Sequence, residues 1–237
     1  LQTKIQDAQH NASVAFLDLM SSKAYSRQGK GGYIRSAAPL NAAMFHHGSS
    51  RANDPQLHTH NVVFNVAERP DGTTGALETR EMMGWQGAGF SLYHAELAYA
   101  MRQLGFGIER RGNLFEVSGV SPEVLEAFSQ RRQQILDAVR TELEARGMNG
   151  EEAASATHRA LRATTTLTTR EDKGELTLAE IRAIWTERGK ALGFTEQETR
   201  ALMTEGPLVP LTPDELLEAA RMAAEEIAEN KALFKEH

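Results

Sequence analysis

Between Lys4 and Met20 the apolar side chains Ile5, Ala8, Ala12, Ala15, Phe16 and Leu19 recur at spacings of three and four, which predicts an amphipathic helix packed on a sheet. The period then changes. Glycines in SRQGKGG lead into YIRSAA, a short strand that carries Arg35, and AAMFHH and LHTHNVVF read as two more strands joined by the polar loop GSSRANDPQ. A tight turn at Asp71-Gly72 leads to a further strand, so the expected sheet is antiparallel. SLYHAELAYAMRQLG returns to helical spacing and stops at Gly105, and FGIERR and NLFEVSG alternate as a hairpin across Gly112-Asn113.

The remainder reads as helix. Ser121-Pro122 opens one that is expected to run unbroken to Gly147 through Val124, Leu125, Phe128, Ile135, Leu136, Val139 and Leu143. Another spans Asn149 to Ala163, followed by an exposed connection, TTTLTTREDKGE. Three capping signals follow, at Thr177 with Glu180, Thr195 with Glu198, and Thr212-Pro213 with Glu215. The helix from Thr177 to Leu192 is expected to turn Ile181, Ile184, Trp185 and Leu192 toward a core. The fold class read from this order is α+β: an antiparallel sheet packed with helices, then a mainly helical C-terminal part. A boundary near Thr195 divides it into residues 1–195 and an acidic helical stretch, 196–237.

Composition narrows the chemistry. The absence of cysteine among 237 residues excludes disulfides, thiolate metal ligands and a cysteine nucleophile. No apolar run is long enough for a membrane span and no secretory signal opens the chain, so the expectation is a cytoplasmic protein. The net charge of -6 argues against a nucleic-acid partner until it is divided by region. Residues 1–195 carry 22 basic and 22 acidic side chains, whereas residues 196–237 carry 4 and 10, so the tail holds the whole imbalance. A neutral body with a local basic groove and a bound cation can hold a phosphate backbone.

The histidines supply the cation. Four of the eight lie between residues 46 and 60. Side chains alternate along a strand, so His58 and His60 share a face, and folding at GSSRANDPQ brings His47 across from them, with His46 on the opposite side. A lone histidine is more often a surface or satisfied core residue; the H-x-H pair is what distinguishes this cluster, and His10, His94, His158 and His237 have no such pattern. Three imidazoles leave coordination positions open, as in a catalytic metal site. They suit zinc, manganese, nickel or cobalt better than magnesium, which prefers oxygen ligands.

The run FHHGSSRANDPQLHTHNVVFNVA resembles the three-histidine motif of conjugative relaxases of the TrwC/TraI (MobF) type, within the HUH endonuclease class. The resemblance implies His47, His58 and His60 as ligands of a divalent ion, Mg, Mn or Zn, over the scissile phosphate of single-stranded DNA at a transfer origin. Thr59 departs from the hydrophobic residue for which the class is named, though threonine here is similar to what this subgroup carries. The implied reaction is a transesterification in which a tyrosine oxygen attacks a phosphodiester and the ion offsets charge growing in the transition state. Accessory conjugation proteins are implied partners, and a membrane is not.

In such enzymes the nucleophilic tyrosines lie near the extreme N-terminus, so the nucleophile and an early carboxylate strand are expected to precede Leu1. Tyr25 and Tyr33 are read as hairpin residues. Arg51 is the expected contact to a DNA phosphate, the alternative being a structural bond to Asp54 within the loop; Lys30, Arg27 and Arg35 form a basic hairpin that could touch DNA. No phosphate-binding loop of the G-x-x-x-x-G-K-[ST] type occurs, so a helicase domain would lie downstream. Two other readings remain open: a metal-assisted single-stranded DNA-binding module without cleavage, and a hydrolase with a metal-activated water and Asp54 or Glu68 as base.

Overall fold

The computed structural model describes residues 1–112, 114–145, 176–204, 206 and 214. Two compact units divide the chain, Leu1–Glu205 and Gly206–His237, and the first holds every element named below.

The periodic N-terminal segment forms α1, Gln2–Ser22. After it come β1 (Tyr25–Gln28), a single 3-10 turn at Lys30–Gly32, β2 (Ile34–Ala37), β3 (Ala42–Ser49) and β4 (Pro55–Val63). Three two-residue strands follow, β5 (Ala67–Glu68), β6 (Thr74–Gly75) and β7 (Leu77–Glu78), then α2 (Arg80–Gly84) and α3 (Gln86–Gln103). The hairpin of β8 (Ile108–Arg111) and β9 (Leu114–Val117) precedes α4 (Pro122–Ala127), α5 (Gln130–Ala145), α6 (Leu178–Ala191) and α7 (Glu196–Ala201).

The fold is α+β with antiparallel pairing throughout the described strands, distributed over several small sheets: β2-β1-β7, β3-β4, β5-β6 and β8-β9. Helix α1 packs across α3 at Gly89, where an added Cβ would come within 2.7 Å of the Phe16 ring. Met20, Ala24, Ala38, Ala67, Leu77 and Met82 form the core beside this crossing, with Phe16, Leu19, Leu40 and Val63 packed against it. Burial of these apolar surfaces fixes α1 under the β3-β4 ribbon, because Val63 on β4 and Met20 on α1 belong to one cluster.

Two expectations are corrected. The helix from Ser121 is not continuous: Ser121 caps it and accepts from the Val124 N–H, but α4 ends at Ala127 and α5 starts at Gln130. A regular helix would bond the Arg131 N–H to the Ala127 carbonyl. Instead the Arg131 N–H donates to Asp54 Oδ2 at 2.9 Å, and the Ala127 carbonyl accepts from Arg188 Nη1 at 3.1 Å. The second correction is the inward stripe of α6: Ile181 is buried, but Ile184 and Leu192 are exposed. Both capping boxes at Thr177 and Thr195 form as read. The predicted helix end at Gly147, the helix from Asn149 to Ala163, the threonine-rich connection and the Thr212 cap lie outside the described residues.

Candidate metal centre

Strands β3 and β4 pair His47 directly with His58 and Phe45 with His60, so all four side chains stand on one face. The register slips between His47 and Ser49, a bulge beside the ligand position of the kind that re-aims a side chain. The three imidazole rings meet pairwise, with centroids 5.4 Å apart for His47 and His58, 4.9 Å for His47 and His60, and 5.0 Å for His58 and His60. One nitrogen from each lies within 4.8 Å of the others. His58 Nδ1 stands 2.9 Å from the Gln56 carbonyl, which accepts its proton and leaves Nε2 with a lone pair for an ion. His47 and His58 are half-buried and His60 is exposed, so the site is open on one side, as an open-position metal centre requires.

The opposite face of the ribbon is tied to α1. Thr59 Oγ1 lies 2.8 Å from Gln9 Nε2 and 2.8 Å from His46 Nδ1, and Gln9 Nε2 also reaches Ser13 Oγ at 3.1 Å. Gln9 and Ser13 are buried. Thr59, the departure from a hydrophobic residue, therefore faces a buried amide that a hydrocarbon side chain would leave with Ser13 as its remaining partner. Sequence reasoning missed this anchor; its only trace was a pair of polar residues four apart, in phase with Ala8 and Ala12 on the apolar face of α1.

A second missed group holds the loop between the ligand strands. Asp54 is 3% exposed. Its backbone and side chain bond to Ser50, its Oδ2 accepts from the Arg131 N–H, and Arg188 Nη1 lies 3.6 Å from Oδ1. Trp185 Nε1 donates to the Asn53 carbonyl at 2.5 Å, and Asn53 takes a left-handed φ of 56°. Asp54 is thus committed to Ser50, α5 and Arg188, which removes it as a general base for a metal-activated water.

The basic candidates are placed as follows. Arg51 is exposed in the Ser50–Asp54 loop. Arg27 pairs with Glu78 at 3.2 Å, and Arg35 lies 3.5 Å from Glu81 with its guanidinium 4.4 Å above the Tyr25 ring. Lys30 is exposed in the 3-10 turn. Tyr25 is buried in the β2-β1-β7 sheet, and Tyr33 is exposed.

The profile of the TrwC relaxase family matches residues 1–192. The chain belongs to this family. Among curated relatives, a multifunctional conjugation protein TraI of Escherichia coli is 37% identical over 109 residues, and that of strain K12 is 30% identical over 213 residues. The chain spans only 6% and 11% of those two proteins while the matches cover 41% and 81% of the chain itself. Two solved structures of conjugative relaxase TrwC in complex with OriT DNA are each 28% identical over 81% of this chain. The metal-free one has a TM-score of 0.72 and 66% of its own length covered, the copper-bound one 0.71 and 64%.

This TrwC-family chain takes a divalent-metal cofactor, and the histidine triad could hold it. The neutral nitrogen donors, the carbonyl that orients His58 and the open side all fit such an ion. Among the described residues, no helix is long and apolar enough to cross a membrane.

Proposed function

We propose that this chain is the metal-binding part of a relaxase that nicks and rejoins one strand of DNA at a transfer origin. The observation that carries the reading is the triad of His47, His58 and His60 on the exposed face of β3-β4 in a chain of the TrwC family. Bound there, a divalent ion of the Mg, Mn or Zn class polarises the phosphate at which the strand is cut. Gln56 fixes the His58 ring, and Thr59 with Gln9 fixes the ribbon that carries His58 and His60. Arg51 binds a neighbouring phosphate with its fork of donors, and Arg27, Lys30 and Arg35 add weaker contacts. The attacking group is a tyrosine oxygen, as in any transesterification that leaves a protein-DNA link. The working setting is the bacterial cytoplasm, with accessory conjugation proteins as partners.

Two measurements test this. Binding of a fluorescent single-stranded oligonucleotide, with and without zinc, should be metal-enhanced and weakened by Arg51→Ala at unchanged zinc affinity; equal binding by that variant at low salt removes Arg51 from the site. The complete reading frame should form a protein-DNA adduct that survives a denaturing gel. Binding without any adduct would leave a DNA-binding module, and cleavage without a covalent link would indicate hydrolysis.

A further inference from the structure

His10 and His46, which no spacing along the chain marks as a pair, meet on the side of the β3-β4 ribbon that faces away from the triad. His10 stands on α1 and His46 on β3. Their ring centroids are 5.3 Å apart and the planes meet edge to face at 64°. That spacing falls within the range of the triad itself, 4.9 to 5.4 Å. Both side chains are exposed, so an ion and its water can reach them from solvent.

The His46 ring is set from behind. Thr59 Oγ1 has one proton to give; where it donates to Gln9 Oε1 at 2.9 Å, it accepts from His46 Nδ1 at 2.8 Å. A proton on Nδ1 leaves His46 Nε2 with a lone pair. The Gln56 carbonyl does the same for His58 on the other face. Gln9 is buried and reaches Ser13 Oγ as well, so this support is fixed. His10 follows Gln9 directly on α1, and the helix that orients one ring therefore places the other.

Two imidazoles fill half of a tetrahedral shell and water takes the rest. Nitrogen donors favour zinc, copper or nickel over magnesium and calcium, which ask for oxygen. Asp7 is exposed three residues before His10, and its carboxylate adds negative charge on the neighbouring turn. Among the described residues only the triad gathers three such ligands, so a site at the pair is the weaker of the two.

We propose that His10 and His46 form a second metal site, for a first-row transition ion of the zinc, copper or nickel class, that ties α1 to β3 on the reverse of the ribbon. The inference goes beyond the relaxase reading: neither ring belongs to the triad, and the site needs no DNA. Binding the folded chain and not the unfolded one, the ion stabilises the fold. His46 directly precedes His47, so the ion braces the strand from which one triad imidazole projects.

The test is zinc calorimetry on the protein without an affinity tag. Two ions should bind per chain, the tighter at the triad and the weaker at the pair. His10→Gln and His46→Gln should each remove the weaker ion and keep the tighter one. His58→Ala should do the reverse, so the two assignments fail separately. Thermal melts give an independent readout: the further rise in Tm produced by zinc in excess over the first equivalent should vanish in His10→Gln, whose metal-free melt should match that of the natural sequence because the ring is exposed. A single ion per chain in the natural protein, or a second ion that survives both substitutions, overturns the site. Magnesium bound in a manner that depends on His10 would overturn the choice of metal.

Discussion

Asp54 Oδ2 accepts the backbone N–H of Arg131 at 2.9 Å, across 77 residues of chain. Together with Arg188, which donates to the Ala127 carbonyl, it stands where one turn of helix would otherwise close on itself. An ion pair is inserted into the break between α4 and α5, and the same carboxylate holds the loop between the histidine-bearing strands β3 and β4.

Removing that carboxylate should be costly. Asp54→Ala leaves the Arg131 N–H without its acceptor and Arg188 without its counter-ion, and should destabilise the protein by about 3 kcal/mol. Urea denaturation reads the loss. The double variant with Arg188→Met should lose less than the two single losses added together, and strict additivity would show that the pair does not act as a unit.

Metal binding should depend on all three histidines and on pH. His58→Ala should lower zinc affinity at least about a hundredfold by calorimetry with the circular dichroism spectrum unchanged, because the site stands on a ribbon whose core lies on the other face. Protons compete with the ion for imidazole nitrogens, so affinity should fall as pH is lowered from neutrality toward the acid side and rise again on return. Unchanged affinity in His58→Ala would discard the ligand assignment.

Thr59→Val tests the buried network. The substitution keeps the shape and removes the hydroxyl that faces Gln9, so stability should fall by about 1–3 kcal/mol, while zinc affinity at the triad changes little because the side chain points away from its three histidines. A thermal melt as high as that of the natural sequence would mean that Gln9 finds another partner.

His94 supplies a pH dependence of the fold. It packs among Phe90, Tyr93 and Phe115, and burial lowers its pKa from the ordinary histidine value. Its neutral form is favoured in the folded chain, so its contribution to stability is complete above the ordinary value and is lost as pH falls through that value toward the lowered one. Melts of the metal-free protein should drop more between neutral and mildly acid pH than those of His94→Leu. Parallel curves for the two proteins would place the titration elsewhere.

The sequence by itself determined what depends on neighbours along the chain. Strand alternation put His58 and His60 on one face, a single polar loop brought His47 opposite, and Ser121, Thr177 and Thr195 marked helix starts, because these signals act over a few residues. Only the tertiary structure decided the rest. The helix from Ser121 had helical periodicity straight through Phe128, and nothing local announced that Asp54 and Arg188 would take its hydrogen bonds. Trp185 likewise reaches Asn53 from 132 residues away, so a residue read as core became a brace for the metal loop. Buried polar groups must find partners wherever the fold offers them, and that requirement is satisfied in space, not along the chain.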